Sequence, residues 1–410
     1  MGSLTALLLL LCIVFCLAPL RFVVYWFLYF NLFHFLSEFL SPIGDSAFYL
    51  KLLEKMFSFS ELFFRTSESF SPNLPFYKMM IFILDDFDLA VAFSNAAVVA
   101  GTLTIMMSLV DGLSKSRVFR GLAFFGTLTP SIVHNGVSLN KDLFVMFFTV
   151  SLLVGTSKLL QTLPKILSIT GFRQTVLFLL IVTFSWQCLE TQRPYFMEFY
   201  YSSLAVIGLI YIIQRFLLLS VNLRTLIAAS GAFVGVVVAL MLKWSEITKI
   251  FTTYWGNAAI VSIHEIITGD TPVDLWNGVL LGFFGLMHSY LMFLTLLFDN
   301  FQVGAVALVA GVVEGAVFFF SLVLFYIFYR GPWQTKCLVT SFMILHLGIQ
   351  SWASPNFGAY LRLRLFEHVF FTTIGLSILV DYLGRRYKFL DIVVIERPDF
   401  LRNYGPKVSQ

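Results

Sequence analysis

The side chains able to do chemistry in this chain collect in four short stretches between long apolar runs. The first, SPIGDSAFYLKLLEKM, carries Asp45 and Ser46 at a Ser/Pro/Gly turn. Asp45 there either caps the following helix or, on an open face, takes a proton as a general base. The second, TPSIVHNGVSLNKDLF, packs His134, Asn135, Asn140, Lys141 and Asp142 into nine residues. Asp142 in a first helical turn complements the macrodipole, and Lys141 is suited to an interfacial anchor. So many polar groups at one junction also read as a binding cluster. The third, CLETQRPYFMEFYY, sets Glu190, Arg193 and Glu198 around Pro194. It reads either as a local ion pair of little worth at a wet surface or as an arginine held rigid by a proline turn. The fourth, SPNFGAYLRLRLFEH, holds Asn356, Arg362, Arg364, Glu367 and His368. Guanidinium forks match phosphate oxygens bidentately and stay charged at any relevant pH. Arg364 and His368, four apart, share a helix face.

Two groups stand alone. Glu314 lies inside a run of Gly, Ala, Val and Phe, where a carboxylate is costly unless it faces a cavity or a partner. His288 lies in another apolar run and reads first as a core residue. No HExxH, GxSxG, P-loop, Rossmann or zinc spacing occurs. Cys12, Cys16, Cys188 and Cys337 fall in or beside apolar runs and read as small packing residues.

The elements that must position these residues follow from composition. The 410 residues are 59% hydrophobic and 12% charged, with 48 Phe and a mean hydropathy of +0.87. A soluble domain carries about twice that share of charge, so a soluble enzyme, a nucleic-acid-binding protein and a disordered scaffold are excluded. The apolar runs are long and do not alternate as barrel strands do. The chain reads as all-α and polytopic, with about 10–11 membrane helices. Spans are predicted near 4–28, 87–110, 121–138, 143–162, 174–190, 196–214, 225–242, 303–328, 337–352 and 366–383. An interfacial helix is expected in the first external loop, 38–86. The first run lacks a basic n-region and Ala6 breaks the myristoylation pattern, so it reads as a retained span.

Lys115, Arg117 and Arg120, then Lys158, Lys165 and Arg173, then Arg215 and Arg224, fall in alternate loops. The positive-inside bias places these loops and both termini in the cytoplasm. Eleven crossings would put Arg385, Arg386 and Lys388 outside, so 277–298 is expected to be re-entrant, beside a cavity open to the exterior. Residues 1–384 read as one membrane domain and 385–410 as a cytoplasmic tail. The four polar stretches then share the external face.

Three of these stretches resemble bacterial integral-membrane glycosyltransferases of the GT-C kind and the related O-antigen and capsule polymerases. They are Gly44-Asp45-xxx-Tyr49, the Pro130–Asp142 stretch ending in Asn-Lys-Asp, and Asn356-x-Gly358 leading to Arg362-x-Arg364. The resemblance implies a bacterial inner-membrane enzyme using polyprenyl-diphosphate-linked sugars at the periplasmic face, with membrane lipid and polysaccharide-export machinery as partners. It assigns Asp45 as base or metal-associated carboxylate, which admits a divalent metal ion as cofactor. Asp142 is the second carboxylate. Tyr49, His134, Asn140, Lys141, Arg193, Asn356, Arg362, Arg364 and His368 are the expected substrate contacts. The chain departs from the pattern in having no Asp-Glu pair in the first loop. The competing reading is a flippase or transporter of a lipid-linked oligosaccharide or organic anion, to which Glu314 and His288 would belong.

Overall fold

The computed structural model describes residues 8–11, 18–39, 74–110, 128–139, 141–214, 216–217, 220–242, 305–329, 331–353 and 365–386. Among these residues every regular element is helical. In chain order they are α1 (Pro19–Ser37), α2 (Leu74–Leu84), α3 (Phe87–Val110), α4 (Pro130–Gly136), α5 (Asp142–Thr162) and α6 (Ile169–Gln192). There follow α7 (Pro194–Gln214), α8 (Val221–Leu242), α9 (Ala305–Phe328), α10 (Trp333–Ala353) and α11 (Leu365–Arg386). Six helices, α1, α3, α5, α6, α7 and α8, are long and apolar enough to cross a membrane. Shorter apolar stretches, Val313–Phe328 and Leu365–Leu379, belong to α9 and α11. This is a multi-pass helical membrane protein.

Most spans expected between 87 and 383 fall on observed helices to within a few residues. Three places differ. The first span was expected as one helix over 4–28; residues 8–11 are helical, and a separate helix begins at Pro19 and runs to Ser37. Ala18 before it is extended, with φ −161° and ψ 78°. Proline has no N–H to give to a preceding turn and its fixed φ suits a first helical position, so it starts a helix here. The second concerns the expected external loop 38–86: the interfacial helix expected after Asp45 lies outside the described residues, and the apolar helix α2 near the end of the loop was not expected. Asp85, the one described non-glycine residue with positive φ (52°), turns the chain back, a conformation aspartate tolerates better than most. Asp86 then accepts a hydrogen bond from Leu89 N at 2.9 Å, and α2 packs on α3. The third is the span 121–138, which is not one continuous helix. Its described part holds only the short α4, started by Pro130 and capped by Thr129, whose hydroxyl accepts from Ile132 N at 3.3 Å. The segment 277–298 and the tail 387–410 lie outside the described residues.

The helix faces explain the packing. On α1, Phe22, Tyr25, Tyr29 and Phe33 are buried, while Leu20, Val23, Phe27 and Phe35 are exposed. A helix apolar on both faces suits protein on one side and lipid on the other. In α3 and α5 nearly every residue is buried. Helix α5 is the hub, touching α3, α6, α10 and α11. The α9 and α11 backbones come close where Gly375 faces Ser321, in the manner of small-residue contacts between membrane helices.

Candidate functional site

Asp142 is the first residue of α5 and is buried. Its Oδ1 accepts a hydrogen bond from an Arg193 terminal nitrogen at 3.2 Å. Arg193 occupies the tight connection between α6 and α7. Its N–H donates to Leu189 O at 2.7 Å and its carbonyl accepts from Phe196 N at 2.9 Å. Pro194, with no N–H of its own, starts α7 and fixes the connection. The guanidinium also lies 5.9 Å from the Tyr195 ring centroid. Arg193 thus reaches across to α5, beyond the local Glu190–Arg193–Glu198 grouping. Glu190 and Glu198 are exposed.

Phe196 connects this pair to a second one. Its ring centroid is 4.7 Å from that of His346 on α10, and His346 Nδ1 is hydrogen-bonded to Glu367 Oε1 on α11. Phe199, Phe342 and Phe366 complete a cage around the imidazole. Both partners are fully buried, as intramembrane ionisable groups must be unless they reach water.

A third arrangement lies deeper. Glu314, ten residues into α9, accepts from the backbone N–H and the hydroxyl of Ser131 at 2.5 and 2.6 Å. Ser131 stands in the first turn of α4, so the carboxylate satisfies donors that a helix start leaves open and complements its positive end. Asn95 of α3 holds the other end. Its amide donates to the carbonyls of Gly136 and Ser138 at 2.8 and 3.0 Å, and its Oδ1 accepts from Tyr77 at 2.5 Å. Helix α4, too short to be stable alone, is thereby pinned at both ends by polar side chains from two other helices. One turn after Glu314, the Phe318 ring centroid lies 4.9 Å from that of His368 on α11.

No protein-family model, no curated protein and no solved structure matches this chain.

The structure brings together Asp142 and Arg193, sets Lys141 beside them at the α5 N-terminus, and places His368 against Phe318. Of the other expected site residues, Asp45, Tyr49, Asn140, Asn356, Arg362 and Arg364 lie outside the described residues, as does the side chain of His134. Asn95, Ser131 and His346 carry polar contacts that sequence reading did not single out. A lone Asn or His in an apolar run was the available signal, and it does not name the partner. Among the described residues no three His, Cys, Asp or Glu side chains converge as metal ligands do. Asp45, the metal-associated candidate, is outside that set. Chemically, Asp142 and Arg193 supply a proton acceptor and an anion-stabilising cation at one end of the bundle. Lys336, at the opposite end of α10, marks the other end, since Thr335 is hydrogen-bonded to Ser157 near the C-terminus of α5.

Proposed function

We propose that this chain is a bacterial inner-membrane glycosyltransferase, of the polysaccharide-polymerase kind, that uses polyprenyl-diphosphate-linked sugars at the external face. The Asp142–Arg193 pair carries this reading. Arg193 is its more exposed half, with 22% of the side chain accessible against 5% for Asp142. An arriving diphosphate meets the guanidinium first, and Asp142 is released toward the acceptor. The acceptor hydroxyl oxygen then attacks the anomeric carbon, the bond to the diphosphate oxygen breaks, and the hydroxyl proton passes to a carboxylate. The negative charge developing on the departing polyprenyl diphosphate is met by Arg193. Asp45, Arg362 and Arg364 are proposed for the same cavity on the strength of the family resemblance, with Asp45 or Asp142 as the base.

The test is the lipid-linked glycan profile of a strain lacking the gene, complemented with the intact chain or with Asp142→Asn. Single lipid-linked repeat units should accumulate at the external face without the chain and with Asp142→Asn, and long chains should return with the intact protein. The flippase or transporter reading has one observation in its favour, the broken helix α4 with the Glu314 carboxylate at its start, since interrupted helices line transport sites. It predicts accumulation on the cytoplasmic face and normal glycan from Asp142→Asn.

A further inference from the structure

Four helix ends meet at the end of the bundle remote from Asp142: the C-termini of α7 and α9 and the N-termini of α8 and α10. Two cations are held there by aromatic rings. The Arg224 guanidinium stands 4.9 Å from the Trp333 ring centroid. The Lys336 ammonium lies 5.7 Å from the Tyr326 centroid and donates to the Tyr326 carbonyl at 2.9 Å. Trp333 and Lys336, three apart, share one face of α10. Tyr211 supports the platform, its ring 5.0 Å from Trp333 and its hydroxyl accepting from Gln334 at 3.1 Å.

The charge is one-sided. From residue 199 to 245 and from 315 to 366 the chain holds no Asp or Glu, while Arg215, Arg224, Arg330 and Lys336 all fall in these segments. Among the described residues no carboxylate pairs with Arg224 or Lys336, and the Arg224 Nε is buried with no hydrogen-bond acceptor. A guanidinium stacked on an indole without an anion is a cation with unused donors. The surrounding surface is apolar and open, with Phe216, Leu217 and Leu223 exposed, as expected where acyl chains lie against a helix.

We propose that the half-buried Arg224, set on the Trp333 ring, binds the phosphate headgroup of an anionic phospholipid from the cytoplasmic leaflet, with the buried Lys336 on the Tyr326 ring adding its positive charge from behind. Basic pockets between helices on the cytoplasmic side take such headgroups. The open apolar flank favours a lipid over a free ion, because it offers the acyl chains a place beside the phosphate. The site is independent of glycosyl transfer and lies at the opposite end of the bundle.

The experiment is native mass spectrometry of the full chain in detergent, titrated with phosphatidylglycerol or phosphatidylcholine of identical acyl chains. The intact protein should retain phosphatidylglycerol preferentially. Arg224→Gln should weaken that retention by roughly fivefold, the effect of one surface cation. Arg173→Gln, which removes an exposed cation from the start of α6 at the same end, should leave it unchanged. Equal retention of the two lipids by the intact protein would overturn the proposal before any variant is needed. So would equal losses in the two variants, which would mean diffuse charge, or displacement of phosphatidylglycerol by millimolar inorganic phosphate, which would mean a free-anion site.

Discussion

Asp142→Asn keeps the shape of the side chain and its place at the start of α5, but removes the charge that Arg193 meets at 3.2 Å. The protein should insert and remain folded, and if Asp142 is the base glycan formation should fall by roughly 10²–10⁴-fold, the usual weight of a positioned proton acceptor. Arg193→Lys keeps the charge and loses the fork, so it should weaken use of a diphosphate donor while leaving the fold intact. The lipid-linked glycan profile reads both. Glu314 calls for a different comparison. Glu314→Gln can still accept from Ser131 N–H and donate to the Ser131 hydroxyl, so its thermal stability in detergent should lie close to that of the parent. Glu314→Ala leaves both Ser131 groups buried without that acceptor, at a cost of about 1–3 kcal/mol each. Equal melting temperatures for the two variants would show that the carboxylate does not hold α4.

Helix α4 depends on its neighbours because seven residues cannot pay for their own ordering. A Cβ on Gly136 would lie 2.3 Å from the nearest carbon of the Phe33 ring, and Phe33 is fully buried on α1. The ring has nowhere to withdraw, so Gly136→Ala should destabilise the protein by about 1–3 kcal/mol, the range for overpacked cores. Asn95→Leu should act on the same end of α4 by stripping the donor from the Gly136 and Ser138 carbonyls. The close approach of α9 and α11 makes a parallel case. A Cβ on Gly375 would meet the Ser321 Cα at 2.7 Å and its carbonyl oxygen at 2.8 Å, and a helix backbone cannot yield as a side chain can. Gly375→Ala should therefore lower the melting temperature more than an alanine at Gly208, where nothing lies within 4 Å.

The bundle as an assembled object makes one prediction about sidedness. Helices α5 and α6 run antiparallel, so the connection 163–168 and the turn at Arg193 lie at opposite ends. Leu167 is fully exposed and Glu190 is exposed, which makes both good reporters. In a chain whose native cysteines are replaced by serine, Leu167→Cys should label only from the cytoplasm and Glu190→Cys only from outside. The reverse pattern would invert the positive-inside assignment, and with it the placement of both proposed sites.

The positions of most described spans from 87 onward, 121–138 excepted, were legible in the linear chain, because a membrane helix needs only a contiguous apolar run. The helix start at Pro194 has an equally local cause, the missing N–H, whereas the expected span 121–138 ran across the start at Pro130. The first span was drawn across Pro19 because apolar residues lie on both sides of it, while a new helix begins there. What faces what was not legible. In a soluble helix the polar stripe marks the outside, but here lipid-facing and buried positions are both apolar. Helix α5 is buried nearly all round and α6 is largely exposed, with little in composition to tell them apart. Asp142 and Arg193 are 51 residues apart, and Ser131 and Glu314 are 183 apart. Each was conspicuous as a polar residue in or beside an apolar run, or passed unnoticed as His346 and Asn95 did. The linear chain determined which polar groups need a partner, since burial without one is costly wherever it occurs. Only the packing of helices decided which partner each one has, because that choice depends on side-chain shape across several helices at once.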